Sequence, residues 1–136
     1  MPEKETIRKA RKDKREGKAA STQAGEFVHE EIEHVREGKH GARSTKQAIA
    51  IGLSKARRAG VKLKARAGTR ESAEEAKAGK KPAAKRSRAT RAALKKEGTS
   101  AASHTSLSRQ AHKSAAKRSA ASRSRSAKKA AATRKR

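Results

Sequence analysis

The most informative feature of this 136-residue sequence is what it lacks: it has no cysteine, no asparagine, no tryptophan and no tyrosine, and its single aromatic ring is Phe27. Without cysteine there is no disulfide framework, no thiolate nucleophile and no cysteine-based zinc site. Without asparagine there is no acceptor for N-linked glycosylation. Only 13 residues are Val, Ile, Leu, Met or Phe, which excludes a globular core that draws on the whole length of the chain.

Long hydrophobic runs are also missing. No segment approaches the roughly 20 apolar residues that a membrane-spanning helix needs, and the first 30 residues contain no apolar run of 7. The sequence therefore predicts neither a membrane partner nor a secretory leader. We expect a cytoplasmic protein.

Acidic residues are scarce beside basic ones, with 13 Asp and Glu against 39 Lys and Arg, for a formal net charge of +26. Such a charge predicts polyanionic partners. The distribution is uneven: nine of the 13 large apolar residues lie between Phe27 and Leu63, whereas residues 76–136 carry 20 Lys and Arg and one acid, Glu97. An apolar centre and a cationic tail are indicated.

The first half of the apolar centre has a helical pattern over about residues 23–37. Ser21 or Thr22 is a candidate N-cap, and Gly38 is the expected end. Large and small apolar residues recur at spacings of three and four and share one face: Ala24, Phe27, Val28, Ile32 and Val35. An acidic ridge with the same spacing is expected to lie opposite and to face solvent or the basic tail: Glu26, Glu30, Glu33 and Glu37.

A second helix is predicted over residues 45–59. Ser44 and Gln47 form a capping-box pattern at its start, and Gly60 is the expected stop. Its apolar stripe is rich in small residues that permit close approach of the first helix: Ala48, Ile49, Gly52, Leu53, Ala56 and Ala59. Two antiparallel helices are the predicted arrangement.

The predicted fold class is all-α: a small antiparallel helical hairpin with long, basic, largely disordered flanks. We divide the chain into a charged N-terminal arm (1–20), whose helix ends at Gly17 and is marginal by itself, the hairpin (21–63), a linker (64–82) and a basic tail (83–136). A hairpin this small lies near the ~40-residue limit for independent folding. Self-association into a homo-oligomer or ligand binding is therefore an expected source of stability.

Two segments resemble a known family. Residues 14–63, with the string GKHGARSTKQAIAIGLSKARRAG, and residues 85–118 are similar to an uncharacterised family of small basic bacterial proteins described at most as DNA-binding. The resemblance implies a bacterial, cytoplasmic origin. The tail also resembles linker-histone tails, in composition only.

The residue inventory does not favour catalysis. There is no phosphate-loop pattern, nucleophile elbow or pair of acid–base carboxylates, so we expect no enzyme, no cofactor and no small-molecule substrate. His29 and His34 lie five residues apart, about 140° around a helix axis, and cannot face one metal ion. We expect both imidazoles to be solvated and assign no role to His40, His104 or His112. No metal site is predicted.

Nucleic-acid binding needs less geometry, because each cation near a phosphate releases condensed counterions. The predicted function is non-specific binding of duplex DNA by a nucleoid-associated, histone-like protein. Two alternatives stay open, an RNA-associated protein and a protein-interaction adaptor that uses the acidic ridge. The candidate phosphate-binding residues are Lys39, Arg43, Lys46, Arg57, Arg58, Lys80, Lys81, Lys85, Arg86, Arg88, Lys95, Lys96, Arg109, Lys117, Arg118, Arg123, Arg125, Lys128, Lys129, Arg134, Lys135 and Arg136.

Overall fold

The computed structural model describes residues 2–64 and 84–135, and the regular secondary structure of these two ranges is entirely helical. This confirms the all-α class. The predicted linker lies outside the described residues apart from Lys64. In chain order the elements are α1 (Lys4–Arg15), α2 (Ala20–Arg36), α3 (Thr45–Arg58), α4 (Ala84–Lys96), a 3₁₀ turn (Ser100–Ala102), α5 (His104–Ala116) and α6 (Ala120–Arg134).

The ends of the two central helices follow the predicted signals, with one exception. Gly38 and Gly60 follow α2 and α3 with φ of 73° and 91°, a conformation that glycine adopts without steric cost. The Ser44 side chain accepts a hydrogen bond from the Gln47 backbone N–H. The predicted cap of α2 is wrong: the helix begins earlier, at Ala20, with Ala19 in the N-cap position and no side-chain cap.

Helices α2 and α3 pack against each other in opposite directions. Phe27 shares a cluster with Ala56, and Val35, further along α2, shares one with Ala48, which comes earlier in α3. Between these two clusters Gly52 faces Val28. Residues with small side chains on α3 thus bring the two helices into close contact, as the stripe of Ala and Gly predicts.

Gly52 and Gly25 form a matched pair that tests this contact. A Cβ at Gly52 would lie 2.6 Å from the Val28 Cα, whereas a Cβ at Gly25 would meet nothing within 4 Å. We expect Gly52→Ala to lower the free energy of unfolding by about 1–3 kcal/mol through overpacking. Gly25→Ala should raise it by about 0.5–1 kcal/mol, since alanine is the better helix former. Urea denaturation of both variants measures these changes, and equal effects at the two positions would contradict the packing.

The N-terminal arm, which the sequence predicts to be a helix of marginal stability by itself, belongs to the core. Ala10 of α1 is buried in one cluster with Phe27 and with Val61, which follows α3, and Ile7 packs against that cluster. At the N-terminus of α1 the Glu3 backbone N–H donates to the Glu30 carboxylate at 3.1 Å. A helix with few apolar residues is therefore stabilised by tertiary contacts rather than by its own propensity.

Part of the predicted tail also enters the core. Ala101 and Ala102 of the 3₁₀ turn are buried in a second cluster with Val35, Ala42 and Ala48. Backbone and side-chain hydrogen bonds hold this segment: the Ala42 N–H donates to the Gly98 carbonyl at 3.1 Å, and the Thr45 hydroxyl to the Ala101 carbonyl at 2.6 Å. The core therefore contains residues of three predicted segments: the N-terminal arm, the hairpin and the tail.

The prediction of largely disordered flanks is not confirmed among the described residues. The structure has three helices after the linker, and none of α4, α5 and α6 contains a buried residue. Local signals account for them: the sequence is rich in alanine, the best helix former, and Ser103 and Ser119 cap α5 and α6 by accepting from the backbone N–H groups of Ser106 and Ser122.

Candidate nucleic-acid interface

Helix α4 carries five of its six cations on one side. At 100° per residue, five of its six cations fall within an arc of about 140°, and Leu94, which is half-buried, lies outside this arc. The Gly41 backbone N–H donates to the Leu94 carbonyl at 2.8 Å, so the loop before α3 approaches the C-terminal end of α4. The cations of the arc are all exposed: Lys85, Arg88, Arg91, Lys95 and Lys96.

Helices α5 and α6 and the turn between them carry the remaining tail cations. Arg109, Lys113 and Lys117 follow one another at spacings of four and share a face of α5 and its C-cap. The cations of α6 lie around its whole circumference rather than on one stripe. All of the predicted cations here are exposed: Arg109, Lys117, Arg118, Arg123, Arg125, Lys128, Lys129, Arg134 and Lys135.

Two of these cations, Arg91 and Lys113, were missed by the sequence-based list although the structure exposes them beside predicted members. Helical spacing was the signal that could have found them. Arg86 is also exposed on α4, outside the arc. Lys80, Lys81 and Arg136 lie outside the described residues.

The predicted cations of the central region differ from one another in exposure and in their contacts with acids. Lys39 contacts the carboxylates of Glu37 at 2.9 Å and Glu3 at 3.4 Å, and the hydrogen bond with Glu37 raises its pKa. The Arg43 side chain is 86 % exposed, with its Nε 4.0 Å from the Glu97 carboxylate. Lys46 and Arg58 are exposed, and Arg57 is half-buried on α3.

Acids and cations are mixed in the N-terminal half of the chain and segregated in the C-terminal half. Helix α1 and the turn that follows it contain ion pairs such as Lys9 with Glu5 and Lys18 with Asp13. Residues 84–135, in contrast, contain 16 Lys and Arg and a single acid, Glu97. Uncompensated positive charge is therefore concentrated on α4, α5 and α6.

Only part of the acidic ridge faces solvent as the sequence predicts. Glu30 is 6 % exposed because α1 covers it. Burial would raise the pKa of Glu30, but hydrogen bonds from Thr6 and the Glu3 backbone N–H, together with the charge of Lys55, hold it below its ordinary value. Glu33 and Glu37 contact Arg36 and Lys39. The ridge thus lines a groove between α1 and α2 and has cations of its own.

The structure also brings together a polar cluster that sequence reasoning missed. Glu31 is completely buried, with one carboxylate oxygen 2.8 Å from the His40 Nε2 and the other 2.6 Å from the Lys55 Nζ. His34 Nε2 lies 3.0 Å from the Glu3 carboxylate. The expectation of a solvated imidazole is therefore wrong for His34, whereas His29 is exposed. The Glu-x-x-His spacing of Glu31 and His34 was the available signal.

No protein-family model, curated protein or solved structure matches the chain. The resemblance of residues 14–63 and 85–118 to small basic bacterial proteins thus stays a prediction. Within the part of the chain that the structure describes, no helix is both long enough and apolar enough to cross a membrane.

Proposed function

We propose that this chain binds nucleic acid, and duplex DNA in particular, without sequence preference, as a nucleoid-associated protein does. The observation that carries the proposal is the segregation of charge. Residues 84–135 contain 16 cations and one acid, and 13 of these cations lie on helices that bury none of their residues. Exposed cations that are not needed for folding are free to neutralise phosphates.

The mode of binding follows from the arrangement of these cations. Residues four apart on a helix are separated by about 6 Å along its axis, so a row such as Arg109, Lys113 and Lys117 offers charges at regular intervals to a phosphate backbone. Contacts with phosphates fix position but carry no sequence information. Long, flexible side chains on an exposed helix suit this task because they adapt to the local path of the backbone.

Single-stranded nucleic acid is a poorer ligand for this chain than a duplex. Proteins specialised for single strands stack bases on aromatic side chains. The one aromatic side chain, Phe27, is 0 % exposed in the core between α1, α2 and α3. Recognition is therefore expected to depend on charge and on the shape of the duplex.

A single chain can also contact more than one duplex. The cations of α6 extend around its circumference, and those of the loop and α3, such as Arg43 and Lys46, lie on another part of the chain. Simultaneous contacts from these two sets would bridge DNA segments, and self-association would add further contacts. The expected consequence in the cell is localisation to the nucleoid.

The proposal is tested by fluorescence anisotropy with two unrelated DNA duplexes of equal length and one structured RNA, all at the same salt concentration. We expect the dissociation constants of the two duplexes to differ by less than about tenfold, well below the discrimination of specific DNA-binding proteins. The duplexes should outcompete the RNA at equal phosphate concentration. A strong preference for one duplex would contradict non-specific binding, and preference for the RNA would favour the RNA-associated alternative.

A further inference from the structure

The buried polar cluster at the C-terminal end of α2 has the composition of a metal site. We propose that Glu31, His34 and His40 bind one divalent first-row transition-metal ion, with zinc as the expected occupant. This proposal does not depend on nucleic-acid binding, because none of the three side chains belongs to the proposed interface.

The backbone places the three side chains together. Glu31 and His34 are three residues apart and therefore share a face of α2. Gly38 ends the helix, and the chain then turns back so that His40 contacts Glu31. One donor atom from each residue lies within 4.8 Å of the other two. His29 is not part of this site, since helical geometry excludes His29 and His34 as joint ligands of one ion.

The contact of His40 Nδ1 with the backbone leaves Nε2 of the same ring available for a metal ion. His40 Nδ1 lies 3.0 Å from the Gly41 backbone carbonyl, which can only accept, so the ring hydrogen is placed on Nδ1. This arrangement is the usual outer-shell support of a metal-binding histidine. His40 Nε2, then an acceptor, lies 2.8 Å from a fully buried Glu31 carboxylate oxygen that forms no hydrogen bond. Two facing acceptors require a proton or a cation between them.

The carboxylate of Glu31 is oriented in a similar way. Lys55 Nζ lies 2.6 Å from Glu31 Oε2, while Oε1 faces His40. Lys55 therefore occupies the oxygen that the proposed ion does not need, and it balances part of the negative charge. Metal-binding carboxylates are commonly oriented by polar partners in this way.

The site is enclosed but reachable. Glu31 is fully buried, and the side chains of His34 and His40 are 14 % and 19 % exposed. His34 lines the groove between α1 and α2, which provides a path from solvent. Glu3, whose carboxylate lies 3.0 Å from His34 Nε2, is the nearest further oxygen donor, and water can complete the coordination.

The ligand set selects the class of ion. Two imidazoles and one carboxylate suit zinc, iron, cobalt and nickel, whereas magnesium and calcium prefer an all-oxygen set. Donor atoms of a tetrahedral zinc ion lie about 3.4 Å apart, from bond lengths of about 2.1 Å. The distance of 2.8 Å between His40 Nε2 and Glu31 is shorter than this, and the donor atoms of the cluster lie within 4.8 Å of one another, a longer limit. Metal binding therefore requires small side-chain adjustments.

The direct test uses the intact, metal-free chain and the nitrogen resonances of its five histidines. Titration with Zn²⁺ should shift the imidazole signals of His34 and His40 and saturate at one equivalent. His29, His104 and His112 should be unaffected at that point. If the five imidazoles respond alike, or none responds, the proposal is wrong.

Variants supply the second readout, by competition for Zn²⁺ against a chromophoric chelator. We expect His34→Ala and His40→Ala each to weaken binding at least about tenfold, on the scale known for altered metal sites. His29→Ala, on the exposed side of the same helix, is the matched control and should bind as the parent does. Equal loss in all three variants, or no loss at His40, would overturn the assignment.

Circular dichroism of the metal-free variants separates loss of ligands from loss of folding. If His40→Ala has reduced helicity, His40→Gln replaces it, because the glutamine side chain fills more of the space of the imidazole and its amide can donate a hydrogen bond to Glu31. In a folded His40→Gln variant, unchanged zinc affinity would contradict the site, and an affinity at least about tenfold lower would support it.

Discussion

The substitution Phe27→Ala is expected to lower the free energy of unfolding by about 3–5 kcal/mol, close to the whole stability that a small core supplies. Phe27 is completely buried, and the other buried apolar residues within 2–64 and 84–135 are alanines apart from Val35 and Val61. Because Phe27 of α2 shares a cluster with residues of α1, α3 and the segment after α3, its loss should weaken the packing of α2 against all of them. Thermal denaturation followed by circular dichroism measures the effect.

Ile51→Ala is the matched control for this prediction. Ile51 is a large apolar residue of α3 that is half-exposed and lies outside both core clusters. Its truncation should change the free energy of unfolding far less than that of Phe27. If the two variants unfold alike, or if Phe27→Ala is as stable as the parent, the core is not organised around Phe27.

Replacement of the six cations Arg123, Arg125, Lys128, Lys129, Arg134 and Lys135 by glutamine is expected to have the largest effect on DNA binding. If 6 to 10 cations of the intact chain contact phosphates, its affinity should fall by about 10³ to 10⁵ between 50 and 200 mM salt. Each lost contact reduces the slope of log affinity against log salt by about 0.9. Since α6 buries no residue, these substitutions should leave the core intact. Anisotropy titrations across this salt range measure the slope.

An equal change of charge in α1 provides the control. Replacement of Lys4, Arg8, Lys9, Arg11, Lys12 and Lys14 by glutamine also removes six exposed cations. Helix α1 and its flanking residues carry acids that compensate these charges, including Glu5 and Glu16. We therefore expect a smaller loss of slope than in the α6 variant. Equal losses would mean that net charge, rather than the cations of the C-terminal helices, determines binding.

The sequence by itself determined the local structure of the centre. The three- and four-residue spacing of Ala24, Phe27 and Val35 identifies the buried face of α2, and all three side chains are 0 % exposed. Ser44 begins α3 and Gly60 follows its end for reasons that reside in adjacent residues. Such signals are readable because they depend on neighbours in the sequence.

Charge and composition likewise determined where the cations lie. They did not determine which acids would be buried or paired with cations. The regular spacing of the acidic ridge gave no sign that α1 would cover Glu30, since α1 is nearly devoid of large apolar residues. Helix α1 docks through Ile7 and Ala10 together with hydrogen bonds to Glu30. Contacts between distant segments, each weak, are not encoded in any local pattern.

Only the tertiary structure decided that residues near position 101 complete the core and that Glu31, His34 and His40 converge. Ala101 and Ala102 look like any other alanines of the tail, yet Thr45 and Arg36 hydrogen-bond to their carbonyl groups. His40 meets Glu31 because the loop reverses direction after Gly38. Sequence periodicity describes one helix at a time, whereas these contacts depend on how the chain returns to the same place.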